Sequence, residues 1–403
     1  MLKQTSFSYD PTKTSFPILV AICLAHLSND LIQSIIPASY PILKQNFHLN
    51  FTQIGVITFC FQLSSSLLQP VIGAYTDKYP KPYSQLFGML FSLLGVVVLA
   101  YAGSYIAVLV AVTLVGIGSS IFHPESSRVA FLSSGGKRSL AQSIFQIGGN
   151  MGAALAPLLL AWIVLPFGQK HLLWFVVVVL FAQIILAYIA SWYKQVLNIL
   201  QQQSKKIIQI PNIPAYRINI SIAILLFLIF SKYIYIASIS SFLQFYMMEK
   251  FSISESAAQL YLFYFLFAIA IGTLIGGALG DIIGRKYVIW LSVLGCAPFT
   301  ILLPFADLFW TGILISIIGF IMASAFPSIL VYAQELLPKK LGMVSGLFYG
   351  FAFGMGGLGA AILGVWADHS SLAYIYTVCS YLPLIGVFTY FLPDLKKISY
   401  KDA

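Results

Sequence analysis

Asp30, Glu125, Arg128 and Lys232 stand inside otherwise apolar stretches long enough to cross a bilayer. Hydrocarbon penalises an ionised side chain by at least ~2.5–3.5 kcal/mol on insertion scales, so such residues usually face a wet cavity. Two acids and two bases sum to zero, which points to mutual compensation within one polar site. The chemistry open to that set is proton exchange at the carboxyls and recognition of an anion by the bases. On the first apolar stretch His26, Asp30, Gln33 and Pro37 recur at helical spacing and form one polar stripe. Asp30 lies about fifteen residues past the start of that stretch, hence near mid-membrane. A carboxyl in such a low-dielectric position is a candidate proton carrier; the plainer alternative is an interhelical hydrogen bond.

Glu125 and Arg128 are three residues apart and share a helical face, so an intrahelical ion pair is open to them. Protonating Glu125 would release Arg128 to meet an anion. Pro124 frees a backbone carbonyl and bends the helix there, which suits a segment lining a cavity. His123 beside it reads either as a hydrogen-bonded wall residue or as a proton relay, as does His26. Lys232, with Tyr235 about one turn later, requires a carboxylate, a carbonyl or an anionic ligand unless it snorkels to the interface. Uncharged stripes complete the set: Gln62, Ser65 and Gln69; Gln142, Gln146 and Asn150; Tyr261 and Tyr264. Such groups bind anionic oxygens without adding charge, and serve equally as interhelical hydrogen bonds. Small-residue ridges at Gly148, Gly152 and Ala156, and at Gly346, Gly350 and Gly354, let helices approach closely.

The elements that must carry these residues are membrane helices. The chain has 403 residues, of which 59% are hydrophobic and only 8% charged, against the ~25% charged of a soluble domain. Apolar runs of about 20 residues recur along it, roughly twelve in all. They begin near Phe16, Thr52, Tyr83, Tyr105, Leu140, Leu172, Ile218, Ala257, Tyr287, Leu308, Leu341 and Leu372. The net charge of +10 does not indicate nucleic acid, because the excess sits in alternate loops. One set of connections holds Lys78, Lys81, Lys137, Arg138, Lys194, Lys205, Lys206, Arg285, Lys286, Lys339 and Lys340, and the other only Lys44, Lys170 and Lys250. This bias predicts both termini in the cytoplasm. The first apolar run follows polar residues with no small-residue cleavage site after it, and is read as a retained span. Cys23, Cys60, Cys296 and Cys379 show neither a disulfide framework nor a metal spacing. No nucleotide loop or nucleophile elbow suggests an enzyme.

Two halves repeat. Residues 1–195 form one block and 217–403 the other, divided by a polar linker at 196–216. Gly73-Ala-Tyr-Thr-Asp77-Lys78-Tyr-Pro-Lys81 is answered by Gly277-Ala-Leu-Gly-Asp281-Ile-Ile-Gly284-Arg285-Lys286, and Phe122-His-Pro by Ala325-Phe-Pro. Duplicated six-span halves are a carrier architecture, with the site between them near the midplane. The Gly-x-x-x-Asp loops with trailing bases resemble the signature of the major facilitator superfamily, although the first departs from it at Tyr79-Pro80 and keeps only Lys81 of the paired bases. The strings SNDLIQS, GIGSSIFHPESSRVA, LAQSIFQIGGN, FSKYIYIASISS and GMVSGLFYGFAFGMGGLGA resemble the fosmidomycin-resistance branch, and the similarity runs from about residue 15 to 392.

That resemblance implies an all-α integral membrane protein of twelve transmembrane helices in two pseudo-symmetric six-helix bundles. It implies a proton-driven antiporter in the bacterial inner membrane that exports an anionic or zwitterionic drug of the phosphonate type. Protons and the bilayer would be its other partners, with no cofactor, no metal and a monomeric state. A carrier of a phosphorylated or carboxylated metabolite would use the same two bases. The first, fourth and seventh spans line the central cavity of the superfamily, so the resemblance also implies that Asp30, Glu125, Arg128 and Lys232 converge there. The two Gly-x-x-x-Asp loops are implied to control conformation.

Overall fold

A computed structural model describes residues 9–202, 209–395 and 398–402, without the side chains of a few of them, Asp281 included. Twelve helical spans appear where hydropathy places them. They are α1 (Phe16–Ala38), α2 (Phe51–Lys78), α3 (Ser84–Ala100), α4 (Tyr105–Leu132), α5 (Arg138–Leu159), α6 (Phe175–Gln202), α7 (Ala215–Phe251), α8 (Glu255–Ile283), α9 (Arg285–Leu294), α10 (Leu308–Ala323), α11 (Leu341–His369) and α12 (Leu372–Cys379). Eleven are long and apolar enough to cross a membrane once their continuations are included, and α3 is the shorter twelfth. The continuations are irregular: a π-helical turn after α5, Ala297–Leu302 after α9, Phe326–Leu336 after α10 and a 3-10 stretch, Leu382–Phe391, after α12.

The ends are set by local chemistry. Asn50 and Gln53 form a reciprocal capping box at the start of α2. Ser104, Ser254 and Asp307 each accept a backbone N–H in the first turn of α4, α8 and α10. Gly284, at φ +104°, turns the chain between α8 and α9 in a region closed to most residues.

The expected linker at 196–216 is shorter than its composition suggests. The α6 helix runs on to Gln202, because the glutamines that end it are good helix formers. The far end, Gln209–Pro211, pairs antiparallel with Tyr400–Asp402, so two short strands join an otherwise helical chain. Lys205 and Lys206 lie outside the described residues.

The first described residues pack on the turn at 132–134 and the last pair with Gln209–Pro211; we call the face that carries these connections the terminal face, and the other the opposite face. The two halves meet most extensively along α2 against α11 and α5 against α8. The α2–α11 seam admits no extra atoms. A Cβ on Gly73 would strike the Gly342 carbonyl, and one on Gly55 would come within 2.6 Å of the Ala360 carbonyl oxygen. Close helix approach without side chains is the usual basis of membrane helix packing.

Candidate functional site

A cavity of about 200 Å³ lies between the halves, reached by side chains from midway along α1, α4, α5, α7 and α11. Asp30 is its anionic centre. The α1 periodicity stacks His26 one turn before it and Gln33 one turn after it. His26 Nε2 is 3.1 Å from Asp30 Oδ2, and His123 Nε2 approaches Oδ1 at 3.7 Å from α4. Asn29 and Gln33 each donate an amide N–H to Oδ1 at 2.9 Å. The outer nitrogens fix both rings. His26 Nδ1 lies 2.7 Å from the Phe145 carbonyl, and His123 Nδ1 lies 3.1 Å from that of Ser119. A carbonyl only accepts, so His26 Nδ1 carries the hydrogen; His123 Nδ1 lies also 3.2 Å from the Ser119 hydroxyl, and both rings turn Nε2 toward the carboxylate. His26 also stacks on the Phe145 ring at 4.0 Å between centroids.

This arrangement creates a demand for positive charge. At 3.1 Å, the His26 Nε2 lone pair and the Asp30 carboxylate repel each other unless a proton lies between them. The three donor atoms lie within 4.8 Å of one another, compact enough to take a metal ion as well. Spacing along the sequence could not reveal the cluster, since His123 joins it only through the fold.

Lys232 enters the same cavity from α7. Its ammonium is buried, has no hydrogen-bond partner among the described residues and lies 5.8 Å from the centroid of the Phe326 ring. Gln33, Gln62, Gln146 and Asn150 line the cavity from the other half, with Ser34. Tyr349 of α11 donates to Gln146 Oε1 at 2.6 Å, and Asn150 donates to Thr273 Oγ1 at 2.6 Å, so both cross from one half to the other. Tyr349 and Thr273 carry no mark in the sequence, and Phe326 only that of the repeat: an isolated tyrosine or threonine in an apolar run gives no periodic signal.

Four charges do not meet in one chamber. Asp30 and Lys232 line the cavity, whereas Glu125 and Arg128 do not. Position 125 is two residues beyond His123, which turns it about 200° around the helix. Arg128 extends toward the terminal face, where its Nη2 donates to Asp77 Oδ1 at 2.6 Å. Its Nη1 donates to Glu125 Oε1 at 3.0 Å and to the Thr76 carbonyl at 2.7 Å. Asp77 in turn accepts the N–H groups of Gly342 at 3.1 Å and Met343 at 2.9 Å, at the N-terminus of α11. The anion expected to meet Arg128 is therefore Asp77, together with Glu125.

Other expected contacts also lie elsewhere. Tyr235 is buried away from the cavity, because α7 turns Tyr233, Ile236 and Ala237 toward it. Gln142 donates to Ser127, and Tyr261 and Tyr264 sit on the side of α8 away from Leu266, Ile269 and Thr273. In the second Gly-x-x-x-Asp loop, Arg285 donates to Glu335 at 2.7 Å and Lys286 to the Tyr390 carbonyl at 2.9 Å. Gly277 is buried in α8, Lys81 is exposed in its turn, and the Asp281 side chain lies outside the described set.

Comparison with known proteins agrees with this architecture. The sequence profile of the Major Facilitator Superfamily matches residues 22–212 and 224–402. A "Fosmidomycin resistance protein" of Escherichia coli K12 is 60% identical over 382 residues, 95% of this chain and 94% of that one. An uncharacterized MFS-type transporter of Bacillus subtilis 168, YfnC, is 43% identical over 390 residues, 96% of this chain and 95% of its own length. A duplicated bundle around a polar midplane cavity and matches across nearly the whole chain lead to one conclusion: the chain is a multi-pass membrane transporter of the major facilitator superfamily, in its fosmidomycin-resistance branch.

Proposed function

We propose that the protein is a proton-coupled antiporter that exports small anionic phosphonate-type drugs across the bacterial inner membrane. The terminal face is assigned to the cytoplasm by the basic residues of its loops. One observation carries the reading: a buried, unpartnered Lys232 ammonium shares its cavity with the Asp30–His26–His123 cluster. A buried ammonium requires an anion, and a phosphonate supplies one. The name of the Escherichia coli relative supports a phosphonate antibiotic as cargo. The cavity, at about 200 Å³, lies below the roughly 300–1,000 Å³ of drug-sized pockets, which favours a compact molecule.

Exchange needs proton and cargo to exclude each other. A cargo with its anionic end on Lys232 and a hydroxyl donor at the other end would hydrogen-bond the Asp30 carboxylate, the position a proton serves. Cargo entering from the terminal face displaces the proton. A proton arriving from the opposite face displaces the cargo, and the halves rock about the site between the two events.

The test is proton movement on adding fosmidomycin to detergent-solubilised protein in weak buffer. The wild type should release protons, Asp30→Asn should release none, and Lys232→Ala should bind at least tenfold more weakly. Proton uptake in place of release would indicate co-transport and overturn the exchange. Binding unchanged in Lys232→Ala would remove the lysine from recognition.

A further inference from the structure

The helices α2 and α11 belong to different halves, run antiparallel, and each carries an aspartate next to its last residue: Asp77 and Asp368. Asp77 accepts the N–H groups of Gly342 and Met343, in the first turn of α11, at 3.1 and 2.9 Å. Asp368 does the same for α2. It accepts the N–H of Phe51 at 3.1 Å, the N–H of Thr52 at 2.8 Å and the Thr52 hydroxyl at 2.6 Å. Each helix therefore ends by capping the other, once at each face of the membrane. First-turn N–H groups have no partner within their own helix, and a carboxylate there also meets the positive end of the helix dipole. Asp77 stands in a recognisable loop motif; nothing in the sequence around Asp368 marks it.

We infer that Asp368 is the latch of the opposite face, a positioning residue that holds α11 to α2 there as Asp77 does at the terminal face. Rigid rocking of the halves separates α2 from α11 at one end at a time. A hydrogen bond at 2.6–3.1 Å between the halves cannot stretch with that motion, because it weakens steeply with distance and angle. With both caps made, the seam is shut at both faces; opening either face requires one of them to break. Thr52 plays at the opposite face the part that Arg128 plays at the terminal one, as an added side-chain donor to the capping carboxylate.

The inference rests on the carrier reading only for the rocking of the halves, and its test uses neither cargo nor a proton gradient. Distances between paired spin labels are measured in the full chain in nanodiscs, with the native cysteines replaced. One pair, at Gln45 and Ser370, spans the opposite face; the other, at Lys81 and Lys339, spans the terminal face. Asp368→Asn should add a population longer by about one helical turn, ~5 Å or more, in the first pair. The second pair should not lengthen. Asp77→Asn should do the reverse, and Asp368→Glu, which keeps the charge, should restore the wild-type distances at the opposite face. An unchanged first pair, equal broadening of both pairs, or a Glu variant as open as the Asn one would each overturn the latch. Should Asp368→Asn fail to fold, Thr52→Ala decides: the first pair should lengthen to a smaller extent, and unchanged distances would again overturn it.

Discussion

At the scale of single residues, the site consists of a carboxylate held between two oriented imidazoles and an ammonium left without a partner. The imidazoles are held from behind, by the Phe145 carbonyl and by the carbonyl and hydroxyl of Ser119, so each turns its Nε2 toward Asp30. Replacing His26 by Ala should therefore uncouple cargo movement from protons while leaving cargo binding within a few-fold, measured as exchange without a gradient against gradient-driven uptake in everted vesicles. The ammonium has the opposite profile. A buried unpaired polar group costs roughly 1–3 kcal/mol, more when charged. Lys232→Met, of similar length and apolar, should accordingly raise the thermal unfolding midpoint by several degrees while abolishing export. A lower midpoint would show that Lys232 has a stabilising partner in the folded protein. The types and depths of Asp30 and Lys232 were legible in the sequence because any ion in an apolar run is conspicuous. Their surroundings were less so: His123 was conspicuous as a candidate relay but not as a partner of Asp30, and Tyr349 gave no signal, because both reach the site from other helices.

At the scale of elements, helical phase decides which charges share a site. His123 and Arg128 sit on one helix, yet the first faces the cavity and the second reaches the terminal face. The pattern HPESSR disclosed both residues and the pairing of Glu125 with Arg128, which needs only a spacing of three. It could not disclose Asp77 as the nearer partner, since that contact spans fifty-one residues. Losing Arg128 strands two carboxylates, Asp77 and Glu125. Breaking one side of a buried pair costs about 3–5 kcal/mol, so Arg128→Ala should lower stability strongly and expose single cysteines introduced at the terminal ends of α2 and α11 to thiol reagents. Fosmidomycin affinity of the folded fraction should stay within a few-fold of wild type. A hundredfold loss of affinity would return Arg128 to the cargo site.

At the scale of the molecule, the two halves were legible as a repeat and the spans as runs of hydropathy, since both follow from composition and period. What joins the halves was not, because inter-half contacts such as Asn150 to Thr273 pair residues unremarkable in their own helices. One of these joints is made by backbone with no side chain of its own. At Gly73 and Gly342 two backbones touch where a methyl cannot fit, and Gly342 itself sits against the Arg128 guanidinium and the Asp77 carboxylate. The α2 helix is 28 residues long, about 40 Å of stiff rod, with this point of contact near its end. A single methyl at Gly73 would act as a doorstop, propping the terminal face ajar without altering any charge and tilting the rod inward at its far end. A steric wedge and a severed ion pair would thus arrive at the same posture by independent routes, and Gly73→Ala offers a carrier jammed toward one side of the membrane with the residues of its cavity untouched.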